Sequence, residues 1–304
     1  MNPRHRKRKL LFDEGVEALN KATDGKCGGT YLCPLCCDPE NPDSLFKEDD
    51  LFSNPPLLTL EDVPPKCSDL GGTPLLLTCK ECNDWAGHEL DHHLEKFTNL
   101  KSFSQGHLRK ERPVRIIVDG KHANVALKHE NETTIFDIQK SRNDPNILPD
   151  FEKTLTEMKI GDELKINFSE DRFSYDKAMI SLFRAAYLAA FAVFGYTYIF
   201  GRSLDIVREQ IRNPDKKLIP VFRSKNETKD LQKKVMAFIN QPPLYSGLMI
   251  QLGIETFHLP FFGDDLSFYD LLDKKVNKNP SLTQQAKIID WPVQPEYRLD
   301  FGNN

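Results

Sequence analysis

Two short pairs of cysteines, Cys33-Pro34-Leu35-Cys36 and Cys79-Lys80-Glu81-Cys82, are the residues whose type and spacing most directly imply chemistry. Four thiolates offered as two C-x-x-C pairs describe a tetrahedral zinc site, and a four-cysteine set fills every coordination position. Such an ion clamps a fold and leaves no place for a substrate, so any reaction must belong to the residues it holds in place. All seven cysteines fall between Cys27 and Cys82. An odd, clustered set of this kind suggests metal rather than disulfides. Cys27, Cys37 and Cys67 are then spare thiols, and Cys37 adjoins a ligand without being able to share its geometry.

The elements around the two pairs must bring them together. Leu11, Gly15, Ala18, Leu19 and Ala22 recur at helical spacing, which predicts an amphipathic helix over Leu10 to Ala22, ahead of the first pair. Residues 38–54 are acidic and Pro-containing and read as an irregular insertion. Leu57 to Leu60 reads as a strand that reaches Glu61 and Asp62 and stops at Pro64-Pro65, where backbone donors are missing. Gly71-Gly72 supplies a turn, Leu75 to Thr78 the returning strand, and Cys79 to Lys96 a helix with Trp85, Leu90 and Leu94 on a partly apolar face. Strand, turn, strand and helix about one metal make a ββα unit.

These residues carry a resemblance. Leu58-Thr59-x-Glu61-Asp62-Val63-Pro64-Pro65, then Gly71-Gly72, Leu77-Thr78-Cys79-x-x-Cys82-Asn83, Gly87 and Leu90-Asp91, resembles the zinc-knuckle branch of the HNH endonuclease family over residues 30–96. The Arg-Ala-Ala-Tyr-Leu helix that ends in Phe194-Gly195-Tyr196 is similar to a segment downstream in some relatives. The resemblance implies metal-assisted hydrolysis of DNA phosphodiesters, with Mg²⁺ or Mn²⁺ held by an acidic residue and an Asn, and a His at the strand end activating water. RNA carries the same linkage and is the other substrate class. Residue by residue, Glu61 falls at the acidic position, Asn83 at the helix position after the knuckle, and Asp62 where the base His is expected. The family context further implies a prokaryotic cytoplasmic protein, with defence against foreign DNA as its setting.

An aspartate at position 62 changes the chemistry. With an unperturbed pKa of about 3.9 against about 6.5 for histidine, it is ionised at neutral pH but accepts protons weakly. Three readings stand. Asp62 joins Glu61 as an oxygen ligand, which needs a local kink because strand neighbours face opposite sides. Alternatively, His88 or His92, one helical turn apart, acts as the base, with Asp91 a further site carboxylate on a rotated face. In the third, the site is inactive, natively or by an engineered change, and the chain is a zinc module that binds nucleic acid or protein. Plainer roles compete with all of these: an acidic turn cap for Glu61-Asp62, a helix cap for Asn83, and helix surface for His88, Asp91, His92 and His93.

Beyond Phe97, Val114 to Val118, Ala123 to Leu127, Thr133 to Ile138 and Glu163 to Phe168 read as strands of a small antiparallel sheet. Tyr175 to Gly195 is the most apolar helix, with Gly195 as its stop. The uncharged run from Ala185 to Gly201 is short for a membrane span and reads as buried. Leu204 to Arg212 and Lys229 to Asn240 read as helices, Leu248 to Leu252 and Thr256 to Leu259 as strands, and the remainder as a Pro- and Lys-containing tail.

A net charge of −4 argues against a uniformly basic nucleic-acid binder. Charge is uneven, however: Arg4, Arg6, Lys7, Arg8 and Lys9 crowd the start, and Lys101, His107, Arg109, Lys110 and Arg112, interleaved with Phe103, follow the ββα unit. Both stretches suit phosphate contact or plain solvation. No apolar signal-peptide core follows the first cations. The expected protein is thus α+β, with no membrane partner: a basic N-terminal helix or arm (1–24), an HNH-like zinc ββα-metal domain (25–97), a small antiparallel β-rich region (98–170), and a helical region with C-terminal strands and tail (171–304). Residues 98–304 show no chemistry of their own. They are assigned to sensing, to oligomerisation as a homo-oligomer or with a partner protein, or to positioning DNA.

Overall fold

The computed structural model describes residues 2–105, 111–130, 133–167, 173–220, 222–225, 232–238, 246–261, 267–278 and 287–298. The fold is mixed α and β. Helix α1 (Pro3–Ala22) starts earlier than its apolar spacing suggests, because Asn2 caps it by accepting the Arg4 N–H at 2.9 Å and Pro3 suits the first turn. The basic head is therefore helical. Strands β1 (Tyr31–Leu32) and β2 (Leu45–Phe46) pair antiparallel and bracket the first cysteine pair. Strands β3 (Leu58–Val63) and β4 (Thr73–Cys79) form an antiparallel hairpin. At its tip Gly71 has φ +64°, and a Cβ on Gly72 would collide with the Pro64 carbonyl. Helix α2 (Lys80–Ala86), a π turn (Gly87–Asp91) and α3 (His92–Ser104) follow without interruption.

Next come β5 (Arg112–Val118), β6 (Lys121–Glu130), β7 (Thr133–Ile138), α4 (Leu148–Glu157) and β8 (Lys165–Asn167). They make a four-stranded antiparallel sheet in the order β7-β6-β5-β8. Val114, Ile116, Val118, Ala123, Val125 and Leu127 alternate inward and pack with Leu148 and Phe151 of α4, a helix that periodicity had not revealed. Of the basic stretch after the ββα unit, His107, Arg109 and Lys110 lie outside the described residues, as does Phe168 of the expected fourth strand.

The chain continues with α5 (Tyr175–Ile199), α6 (Asp205–Arg212), β9 (Arg223–Lys225), β10 (Lys233–Phe238), β11 (Gly247–Leu252), β12 (Glu255–Pro260), α7 (Ser267–Lys278) and β13 (Lys287–Ile289). The strands form an antiparallel sheet in the order β13-β10-β11-β12-β9. Two expectations fail here. Lys233 to Phe238, read as part of a helix over Lys229 to Asn240, is a strand hydrogen-bonded on both edges, with Val235 and Ala237 buried at a period of two. Residues 229–231 and 239–240 of that expected helix lie outside the described residues. The expected tail contains α7 and β13, and Phe268 and Tyr269 of α7 are buried.

The apolar α5 is long enough to cross a membrane by length and composition alone, yet its most apolar window is wholly buried within the protein. Gly195 does interrupt it, at φ 70° and ψ −160°, and the helix resumes to Ile199. Backbone contacts divide the chain into two compact units, Met1–Glu95 with Tyr175–Asn304, and Lys96–Ser174. The sheet of β5 to β8 and α4 is thus an insertion into the chain of a larger unit. That larger unit holds both cysteine pairs, the hairpin and α5.

Candidate metal centre and buried ion-pair network

Cys33 follows directly from β1, Cys79 ends β4, and Cys82 lies in the first turn of α2, so three elements converge on one point. The four Sγ atoms lie within 4.8 Å of one another, with Cys36 3.7 Å from Cys79 and 3.6 Å from Cys82. Sulfurs bonded to zinc at about 2.3 Å in a tetrahedron stand about 3.8 Å apart, whereas a disulfide needs about 2.05 Å. The cluster therefore has the dimensions of a zinc site, and all seven cysteines are free thiols. Among the described residues it is the one group of three or more His, Cys, Asp or Glu side chains that could share a metal ion. Backbone N–H groups add to it: Cys79 donates to Cys33 Sγ at 3.3 Å, and Cys82 donates to Cys79 Sγ at 3.4 Å as the cap of α2. Burial pushes the Cys33 thiol well up, while its hydrogen bond pulls Cys36 and Cys79 down. Metal-free, the sulfurs share protons unequally; a divalent cation takes the place of those protons.

The outer contacts of the first knuckle come from far along the chain. Tyr196 donates to the Leu32 carbonyl at 2.6 Å, Tyr187 to that of Pro34 at 2.8 Å, and Arg212 to those of Leu35 at 2.5 Å and Cys36 at 3.3 Å. Arg208 steadies this frame by donating to Tyr187 Oη at 3.1 Å and to the Ile199 carbonyl at 2.7 Å. Cys37 turns away at φ 48° to donate to Ile199 at 3.6 Å, and burial pushes its thiol up to about 11. Cys67 donates to the Asp91 carbonyl at 3.4 Å and is pushed by burial up to about 12. Neither Cys37 nor Cys67 is poised to react.

Glu61, on β3, is buried, and both its oxygens are taken. Thr78 across the hairpin donates to Oε2 at 3.1 Å, and Arg184 of α5 donates to Oε1 at 2.8 Å. The same guanidinium donates to Asp91 at 3.0 and 3.2 Å, and Ser181, one turn earlier on α5, donates to Asp91 Oδ1 at 2.5 Å. Asp91 is aimed there by the π turn it ends, a widened turn of the kind often found at functional sites. Burial works against the Arg184 charge, but Glu61 and Asp91 more than offset it and hold the guanidinium above its usual value. Burial raises the Glu61 carboxyl, and Arg184 pulls it back only in part. One cation faces two carboxylates in a buried place. Sequence reasoning did not assign Arg184 to the site; its one signal is a charge within the run Ala178 to Tyr196, where every position of the helix is buried.

The other expected site residues are placed as follows. The register of the hairpin shifts between Glu61, which faces Leu76, and Asp62, which faces Pro74, a bulge whose extra residue is Leu75 of β4. Lys66 pairs with Asp62 Oδ2 at 3.1 Å, and Oδ1 is buried without a hydrogen-bond partner. Asn83 is not the helix cap, a place taken by Cys79; its Nδ2 donates to Thr59 Oγ1 at 2.8 Å and to the Leu60 carbonyl at 3.4 Å, tying α2 to β3. Thr59, Glu61 and Thr78 share one face of the hairpin, so the structure gathers Glu61, Asp91 and Asn83 about that face. His88 is exposed on the π turn. His92, which follows the π turn, is half-buried, with Nδ1 lacking a partner.

No protein-family model, curated protein or solved structure matches this chain.

Proposed function

We propose that the chain is a metal-dependent endonuclease of HNH type that hydrolyses DNA phosphodiester bonds, with the four-cysteine zinc as clamp and Mg²⁺ or Mn²⁺ as a second ion. The observation that carries this reading is Asp62 Oδ1, a buried carboxylate oxygen without a partner at the bulge of the hairpin that runs into the four-cysteine cluster. Hard divalent cations take such oxygens. When bound, the ion supplies positive charge for the phosphoryl oxygens and lowers the pKa of water. Asp62 is the residue that would hold it, because the oxygens of Glu61 are already occupied. On this reading Glu61, fixed by Arg184 and Thr78, sets the strand end, and Asn83 sets the distance between helix and strand.

The test is incubation of purified protein with supercoiled plasmid, with and without Mg²⁺ or Mn²⁺, beside Asp62→Ala and Asn83→Ala. Nicking that requires the ion and disappears in Asp62→Ala supports the reading. Equal nicking by all three proteins removes it.

One observation favours a second reading, a zinc module that binds nucleic acid or protein without cleaving. Both oxygens of Glu61, the acidic position of the family pattern, are engaged by Arg184 and Thr78. Wild-type activity separates the two: Mg²⁺-dependent nicking that Asp62→Ala abolishes marks a nuclease, and duplex binding with no nicking by wild type marks a binder.

A further inference from the structure

Arg4, Arg6, Lys7, Arg8 and Lys9 occupy the first two turns of α1. Lys9 is neutralised by Asp13 at 2.6 Å and Glu48 at 3.3 Å, and Lys7 bears on Glu14. Arg4, Arg6 and Arg8 have no ion pair among the described residues. Arg8 is the unusual one, only 7% exposed. Its Nη1 reaches a single acceptor, the Leu58 carbonyl, at 3.5 Å, and its Nε is buried with no partner. A buried cation without an anion is costly. Arg4 lies one turn before it on the line that continues to Leu11 and Gly15, so two guanidiniums flank one place at a helix start, where the backbone also favours negative charge.

We propose that the first two turns of α1 form a contact for the phosphate backbone of DNA, centred on the exposed Arg4 and Arg6, extended by Lys7 and backed by the unpaired charge of the buried Arg8. The contact rests on the nuclease reading for its choice of polymer. Leu58 opens β3, and Asp62 lies four residues along the same strand, about 13 Å at 3.3 Å per residue. At 3.4 Å of rise per nucleotide, that is a span of about four nucleotides, a length that one bound duplex covers. A membrane surface is the poorer occupant. Leu11, Phe12, Ala18 and Leu19 are buried, with α1 packed on β1 and α5, so the apolar side that would enter a bilayer is already covered.

Binding of a fluorescent DNA duplex by the zinc-loaded protein, followed by anisotropy with no Mg²⁺ or Mn²⁺ added so that nothing is cut, tests the contact between about 50 and about 200 mM salt. The triple variant Arg4→Gln/Arg6→Gln/Lys7→Gln changes residues at the surface, and Arg8→Lys keeps the charge while removing the second guanidinium. The triple variant is expected to bind at least tenfold more weakly at the lower salt, with a slope of log K against log salt shallower by about 2 to 3, at 0.9 per lost phosphate contact. Arg8→Lys is expected to weaken binding by a smaller factor. Unchanged affinity and slope in the triple variant, wild type that does not bind duplex, or wild type that sediments with phosphatidylserine vesicles in preference to DNA would each overturn the contact. Wild type that binds duplex but never nicks plasmid when Mg²⁺ or Mn²⁺ is supplied overturns the nuclease reading alone. Wild type that nicks while the triple variant binds unchanged overturns the contact alone.

Discussion

Arg184 and Glu61, 123 residues apart in sequence, meet at 2.8 Å with both side chains buried. The ion pair is the seam between α5 and the hairpin, and Asp91 makes it three-cornered. Removing the cation strands the buried Glu61 carboxylate and leaves the half-buried Asp91 without its cation, a change that typically costs about 3–5 kcal/mol. Arg184→Met is expected to lower stability by that amount in urea denaturation. The double variant Arg184→Met/Glu61→Gln is expected to lose less, because one of the stranded charges is gone. A double variant weaker than the single would show that the pair contributes through shape rather than charge.

Zinc is expected at one equivalent per chain by elemental analysis. Structural sites of this kind carry about 10–16 kcal/mol of apparent binding free energy, which is folding free energy. Cys82→Ser, or a strong chelator, is therefore expected to unfold the larger unit, read as loss of far-UV and near-UV circular dichroism. A protein that keeps both signals after metal removal would contradict the clamp.

His258, in the sheet of β9 to β13, shares a hydrogen bond of 2.9 Å with Ser224, and its Nδ1 is buried without a partner. Burial lowers its pKa from 6.5 to about 4. The unfolded chain therefore takes up a proton that the folded chain refuses. The stabilising contribution is complete above about 6.5 and is lost as pH falls toward about 4, a window worth roughly 3 kcal/mol. His258→Gln is expected to flatten the stability profile across that window. An unchanged slope would place the acid sensitivity elsewhere.

Gly195 adopts φ 70° and ψ −160°, a region close to glycine's alone, and a Cβ there would stand 3.1 Å from Tyr297 Cδ1. The break frees carbonyls of α5 that the chain near its end occupies: Glu296 donates to Ala192 at 2.7 Å and Arg298 to Val193 at 2.8 Å. Gly195→Ala is expected to cost about 1–3 kcal/mol. A lowered melting temperature checks this, and no change would mean that the kink relaxes.

The cysteine pairs were legible because ligand spacing is local, and the hairpin because Pro64-Pro65 and Gly71-Gly72 punctuate it within a few residues. Burial of α5 could be read from its composition. Other features depend on partners that no window contains. Arg184 reads as an ordinary charge until Glu61 and Asp91 arrive from 123 and 93 residues away. Lys-Lys-Val-Met-Ala-Phe, from Lys233 to Phe238, has no decisive period, and strands on both its edges settle its state. The π turn that turns Asp91 toward Arg184 leaves no mark in residue types. Asp62 and Asn83 could be singled out, but the bulge and the bond to Thr59 that define them are tertiary.

The grip of Tyr187, Tyr196 and Arg212 on the carbonyls of Leu32, Pro34, Leu35 and Cys36 has a consequence for biosynthesis. A nascent chain can load its ion once Cys82 has left the ribosome, but the groups that fasten the loaded loop are still untranslated. With roughly 130 residues between Cys82 and Arg212, synthesis at 5–20 residues per second leaves a half-finished knuckle waiting about 7–26 seconds. On the zinc-clamp reading, the bound ion holds the two knuckles together during that interval, so cells short of zinc are expected to accumulate this protein as aggregate rather than as soluble apoprotein.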